Sequence, residues 1–233
     1  MCTGFVSFGK DYLAGFNLDA DPAVWNFSVY AKKTAFFAGL RIGSTTYRIH
    51  GINAAGQFAV LPYMNGAIET KSHRGGAYRR IDLVNHAVLS GKLDPNALEA
   101  VLDEKRIVNV PNTSMHALYA DPTGRTLLVE PGLRVTRRVG GHSVIANFPL
   151  SARPDDLADN PFYGADRFRT VSAALDRFGE GLTVRNALDT LLSVRQAGQW
   201  ATRLTFVYSH AENAVYYITG DAPETVKSHS LQN

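Results

Sequence analysis

Apolar and polar positions alternate along most of the first third of the chain, the signature of strands packed on one face. Residues 2–8 and 12–16 are two such runs, parted by Gly9-Lys10-Asp11, and together they predict an N-terminal hairpin. Residues 24–30, 34–40, 45–50 and 57–61 predict four more strands, the last pair flanking the turn-like Asn53-Ala54-Ala55-Gly56. The spacing then changes. Ile81, Val84, Ala87 and Val88 recur at helical intervals within residues 77–89, and Gly91 ends that helix. Asp94 reads as the N-cap of a second helix with Pro95 at its first position, ahead of a stripe formed by Leu98, Val101 and Leu102.

Strands return at residues 115–120 and 125–130, joined by the turn Asp121-Pro122-Thr123-Gly124, and continue at 133–139 and 143–147. Residues 151–160 read as a polar loop. Helical spacing resumes over 161–178 and 183–193, and strands at 204–209 and 214–219 precede a tail with room for one edge strand. No repeat, low-complexity tract or linker interrupts the pattern, so residues 1–233 are read as one domain. The class is α+β. One way to bury the order sheet, two helices, sheet, two helices, sheet is a four-layer αββα sandwich, with two stacked sheets and helices outside.

Composition narrows the partners. Of 233 residues, 45% are hydrophobic and 19% charged, which is globular and argues against disorder. A formal net charge of +3 is too small to predict nucleic acid or a membrane as the main partner. The single cysteine excludes an intramolecular disulfide and a cysteine-based zinc site, and the histidines are scattered without ligand spacing. No phosphate loop, dinucleotide fingerprint or Gly-x-Ser-x-Gly elbow occurs, so neither metal nor cofactor is expected. The opening Met1-Cys2-Thr3-Gly4-Phe5 lacks a basic segment and a long apolar run, and no stretch approaches the roughly 18 apolar residues of a membrane span. A cytoplasmic location is therefore expected.

The candidate chemistry begins at Cys2. Methionine aminopeptidase trims Met1 when the second residue is small, and cysteine qualifies. The product carries a thiol and a free α-amine on one residue, and an amine with a pKa of about 8 can take the thiol proton directly or through water. From position alone, a nucleophile and a chance cysteine on a frayed terminus are both open, although a strand starting at Cys2 argues against fraying. Asp19, at the far end of the hairpin, can return beside Cys2 and orient its amine or thiol. It can equally be a strand-end turn residue.

At these residues the sequence resembles the choloylglycine hydrolase and penicillin V acylase family, N-terminal-nucleophile hydrolases of linear amides. The resemblance is carried by Met1-Cys2-Thr3-Gly4 with Asn17-Leu18-Asp19, and by Gly51-Ile52-Asn53 with Gly56. Val110-Pro111-Asn112-Thr113-Ser114-Met115-His116 through Asp121, Thr123-Gly124 and Val129-Glu130 is its longest stretch. Ala146-Asn147-Phe148-Pro149 and Asp166-Arg167-Phe168 complete it. It implies Cys2 as nucleophile with its own α-amine as base, and Asp19 as the carboxylate holding that residue. It further implies the Asn147 side-chain amide and the Tyr63 backbone N–H as oxyanion donors, and Arg167 as a cation beside the thiol. The implied partner is a small N-acyl amide, with Phe16, Leu61, Met64 and Asn65 on the acyl side. A homo-oligomer is open.

Two departures from the family pattern stand out. Phe16 occupies the place of an arginine beside the nucleophile, and losing that cation raises the thiol pKa unless Arg167 or another base such as Arg41 compensates. The chain is also shorter than typical members, mostly between Asn147 and Arg167. A hydrolase is the expectation. An acyltransferase, or a silent scaffold that binds an acyl ligand, are the alternatives. His116 is read as a packed or surface histidine rather than a catalytic one, and the basic cluster Lys71, His73, Arg74, Arg79 and Arg80 as a solvated loop and helix start, with a rim that attracts anions as the alternative.

Overall fold

The N-terminal hairpin forms and runs longer than the alternation predicts. The computed structural model describes residues 2–65, 75–151 and 164–232. Strand β1 (Cys2–Phe8) pairs antiparallel with β2 (Tyr12–Asp19) from Cys2 opposite Leu18 to Phe8 opposite Tyr12. A meander follows: β3 (Phe27–Lys32), β4 (Ala35–Ile42), β5 (Thr45–Asn53) and β6 (Phe58–Val60). β3 starts later than residue 24 because the backbone N–H groups of Val24 and Trp25 both bond the Asp21 carbonyl in a turn. Gly51 in β5 has no room for a side chain, since a Cβ there would lie 2.2 Å from the Phe36 carbonyl oxygen.

The first helix is shorter than expected. Tyr78–Arg80 forms β7, and only Ile81–Leu89 is helical (α1). The chain is extended there because it pairs in parallel with β8 (Arg106–Val108), a three-residue strand that periodicity does not reveal. Between them lies α2 (Pro95–Glu104), capped as the sequence indicates: the Asp94 carboxylate accepts from Asn96 N and Ala97 N at 2.8 Å each. β9 (Ala117–Ala120), β10 (Arg125–Glu130), β11 (Arg134–Val139) and β12 (His142–Ile145) follow. Much of the expected loop at 151–160, and the start of the helix expected from 161, lie outside the described residues. The described helix α3 covers Ala165–Phe178, and α4 covers Val184–Ser193. β13 (Thr202–Ser209), β14 (Ala214–Thr219) and the edge strand β15 (Lys227–Ser230) end the fold. Among the described residues no helix is long and apolar enough to cross a membrane.

One six-stranded sheet has the order β12-β1-β2-β13-β14-β15 and one seven-stranded sheet the order β11-β10-β9-β6-β5-β4-β3. Their inner faces share a core. Phe16, Leu18 and Phe206 of the first meet Phe36, Ile52 and Phe58 of the second, with the Phe36 and Phe206 rings 5.5 Å apart. Alternation puts the other face of each strand against helices. Phe5, Leu13 and Val207 pack on Val171, Leu188 and Leu191 of α3 and α4. Ile49, Ala59 and Leu127 pack on Val84, Val88 and Leu98 of α1 and α2. The result is the αββα sandwich, and it brings β1, β2, β12 and the start of α3 to one end of the first sheet.

Phe206 carries the inter-sheet core, whereas Asp94 carries one cap. Phe206→Ala is expected to cost about 3–5 kcal/mol through cavity formation and Asp94→Ala about 1 kcal/mol through lost capping, both read from urea unfolding midpoints.

Candidate active site

Four separate stretches of chain converge on Cys2. The backbone nitrogen of Cys2 donates to Asn147 Oδ1 at 2.6 Å, and its thiol points to the Asp19 carbonyl oxygen at 3.9 Å. Arg167, in the first turn of α3, reaches beneath β1 and β2. Its Nη1 donates to Thr3 Oγ1 at 2.8 Å and to Asp19 Oδ2 at 3.1 Å, and its Nη2 donates to Asn147 Oδ1 at 2.9 Å. The second Asp19 oxygen accepts from Thr202 Oγ1 at 2.6 Å, where a register shift in β13 turns Thr202 toward it. Thus Cys2, Asp19, Asn147 and Arg167, chosen from distant parts of the sequence, form one buried hydrogen-bonded cluster. A cation in the first turn of a helix opposes the helix dipole, and the Asp19 carboxylate offsets that cost.

Burial dominates the electrostatics. It pushes the Cys2 thiol up to about 11, with the Asp19 carboxylate adding to the rise and Arg167 opposing it. It also pushes the Asp19 carboxyl up to about 6, against the pull of the Thr202 hydrogen bond and the Arg167 guanidinium. The thiol is therefore held protonated at neutral pH in the chain as translated.

The segment around Tyr63 is fastened to the same cluster. Asn147 Nδ2 donates to the Tyr63 carbonyl at 2.5 Å, and Asn65 N donates back to the Asn147 carbonyl at 2.7 Å. Tyr63 also bridges to Met115. The two bonds of that bridge run from Met64 N to Ser114 O and from His116 N to Pro62 O, so the Tyr63 N–H is not one of its donors. Asn147 Nδ2 likewise has a second proton beyond the one given to Tyr63.

Residues that the sequence reading missed sit around this core. Thr3 and Thr202 complete the shell of Arg167 and Asp19. Gly164 has φ +92°, and a Cβ there would lie 2.8 Å from Arg167 Nη2 and 3.3 Å from Asn147 N. Its place two residues before Asp166-Arg167-Phe168 is the one sequence signal that it offers. His116, read as a packed or surface residue, is fully buried and structural in a specific way. Its ring Nε2 meets the Ala146 carbonyl at 2.6 Å, while its backbone N–H holds Pro62 O. It therefore ties together the two segments that carry Asn147 and Tyr63.

A cavity of about 380 Å3 opens beside Cys2, a volume suited to a small organic ligand. Leu18, Trp25, Phe27, Ile49, Leu61 and Met115 make much of its wall apolar, and Tyr63 stands half-exposed on it. Leu61 lies on the wall as expected. Phe16, Met64 and Asn65 do not line it. Phe16 faces the inter-sheet core, because β2 alternation turns Ala14, Phe16 and Leu18 that way, and it stacks on His50 at 4.6 Å. Met64 is fully buried, and Asn65 contributes its backbone to Asn147 rather than a side chain to the wall. Of the basic cluster, Lys71, His73 and Arg74 lie outside the described residues. Arg80 lines the cavity in a two-pronged pair with Asp82, at 3.0 and 2.5 Å. Arg41 is exposed, bonds the Gly43 carbonyl and does not line the cavity.

The fold matches solved amide hydrolases. A C2A mutant of conjugated bile acid hydrolase from Clostridium perfringens superposes with a TM-score of 0.73 at 16% identity, over 100% of this chain and 94% of that one. Penicillin V acylase from Agrobacterium tumefaciens gives 0.63 at 15% identity, over 97% and 84%. A Caenorhabditis elegans ortholog of N-acylethanolamine-hydrolyzing acid amidase gives 0.62 at 14%, over 99% and 100%. No protein-family model matches the chain, and no curated protein matches it in sequence. The likeness shows that this chain shares the fold of these proteins.

The pH dependence of stability follows from Asp19. Its folded-state pKa, about 6, lies above the roughly 3.9 of an unfolded aspartate. The folded chain therefore holds this proton more tightly, and the group's contribution is greatest below about pH 4 and falls as the pH rises through 6. Between pH 4 and pH 7, wild type is expected to lose about 2 kcal/mol of unfolding free energy relative to Asp19→Asn, measured by urea titration at both pH values.

Proposed function

We propose that the protein is a cysteine amidohydrolase that becomes active when Met1 is removed and Cys2 carries the free α-amine. The convergence of Cys2, Asp19, Asn147 and Arg167 at the wall of an apolar cavity carries this reading. The activities named for the bile acid hydrolase, the penicillin V acylase and the acid amidase of the same fold agree with it.

In this mechanism the new α-amine takes the place of the Cys2 amide nitrogen, so Asn147 Oδ1 accepts from it at the 2.6 Å site. Burial disfavours a free thiolate, which makes a base on the same residue the natural activator. The amine takes the thiol proton as sulfur attacks the acyl carbonyl. The second Asn147 Nδ2 proton and the Tyr63 N–H stabilise the oxyanion. The ammonium then protonates the leaving amine, the C–N bond breaks, and an acyl thioester remains on Cys2. Water, deprotonated by the amine, attacks that thioester and releases the acid and the thiol. Asp19 and Arg167 position the cluster without giving up a proton. The substrate is an N-acyl amide with a largely apolar acyl part. No step uses a metal or cofactor.

Protein lacking Met1 is expected to gain one acyl mass on Cys2 when mixed with a panel of N-acyl amino acids, and to release the amine. Cys2→Ala should abolish both, and Asn147→Ala should lower kcat by about 100- to 1000-fold. Intact mass spectrometry with amine quantification reads all three. An unmodified Cys2 and no released amine across the panel would overturn the proposal. Product analysis with added amine acceptors separates hydrolysis from acyl transfer.

A further inference from the structure

His50 lies on β5 among the residues lining the cavity beside Cys2, yet it is only 2% exposed. Its ring is fixed on every side that the protein can reach. Phe16 stacks on one face at 4.6 Å, with an interplanar angle of 23°. Phe27 approaches at 5.5 Å, tilted by 52°. At the edge of the ring, Nδ1 accepts the backbone N–H of Leu61 at 3.1 Å. A nitrogen that accepts this bond carries no proton, so in the neutral ring the proton sits on Nε2. Burial lowers the pKa to about 3, which keeps the ring neutral throughout the physiological range. Nε2–H has no hydrogen-bond partner among the described residues, and the ring's backbone side and Nδ1 edge are occupied. With Nδ1 engaged, Nε2 is the one ring nitrogen left to meet a ligand in the cavity that His50 lines.

We infer that His50 determines specificity by offering a fixed Nε2–H donor to an oxygen within the acyl group. The preferred substrates are then N-acyl amides whose otherwise apolar acyl chain carries a keto, hydroxyl or ether oxygen. This rests on the reading that the cavity receives the acyl part. The chemistry is that of a buried donor in an apolar wall: an acyl chain with an acceptor satisfies it, and a plain hydrocarbon chain leaves it unpaired. Phe16 contributes by gripping the ring, a different use from that of an arginine at the same position.

The test separates binding from turnover. In Cys2→Ala protein, which cannot form the thioester, titration calorimetry compares N-acyl-glycines with a straight acyl chain against the same chains carrying a keto or ether oxygen at successive carbons. At the best position, the oxygenated ligand is expected to bind about 3- to 10-fold more tightly. The ratio should fall to about one in Cys2→Ala/His50→Asn, whose side-chain oxygen can still accept from Leu61 N–H but which has nothing at the place of Nε2. The ratio should fall likewise in Cys2→Ala/His50→Phe, which keeps the aromatic stack. Equal binding of plain and oxygenated ligands at every position would overturn the inference, as would a preference that survives both substitutions. Failure of all the amides to bind would overturn it together with the acyl-site reading. Selective binding with no acylation of wild-type Cys2 would instead overturn the hydrolase reading and leave the role of His50 standing.

Discussion

A single buried guanidinium holds the reactive end of this molecule together. Arg167 contacts β1 through Thr3, β2 through Asp19 and the segment after β12 through Asn147. Each contact alone is an ordinary hydrogen bond. Together they fix the relative positions of three segments far apart in sequence, with both members of the ion pair withdrawn from water. Such a pair gains little net stability over an apolar replacement, because desolvation consumes most of the attraction. Its value lies in geometry. It explains why a cation is tolerated in the first turn of α3, and why Gly164, where a side chain would collide with that cation, precedes it.

The same burial creates the chemical problem that the site has to solve. A thiol buried at the end of a sheet is a poor nucleophile, and the nearby carboxylate makes it poorer. Phe16 supplies no charge to help. In the proposed mechanism an amine on the Cys2 residue itself would solve this without a separate base, and Asn147 Oδ1 accepts from the Cys2 nitrogen where that amine would lie. The segments proposed to hold the oxyanion show equal economy. His116 ties Pro62 to Ala146, so the Tyr63 and Asn147 segments are registered by one side chain and one backbone amide.

Much of this was legible in the chain, for physical reasons that differ by element. Asp94-Pro95 is a local signal, and the cap forms as read. The αββα layering was legible because alternation and helical spacing occupy separate stretches. The short parallel pair at Tyr78–Arg80 and Arg106–Val108 was not, since three residues carry no period and a neighbouring helix claims the pattern. Cys2 and Asp19 were nominated by their chemistry and place on the hairpin, Asn147 and Arg167 by resemblance, and their convergence depends on pairings that no local window contains. Phe16 shows the opposite failure. Standing at the place of an arginine beside the nucleophile, it was expected on the acyl side, but strand parity directs it into the core. Thr202 was invisible because only a register shift in β13 turns it toward Asp19.

If Met1 is removed as proposed, the placement of Cys2 also sets a clock on that step. In the finished fold the residue is 5% exposed and paired across β2, so the bond preceding it is a poor target for a peptidase. Asn147, which grips the Cys2 nitrogen, is 145 residues downstream. At ribosomal speeds of about 5–20 residues per second, roughly 7–30 s of synthesis separate the two. During that interval the terminus has emerged and its eventual clamp does not yet exist. On the proposed reading, trimming therefore falls to the nascent chain, before Asn147 closes on the Cys2 nitrogen.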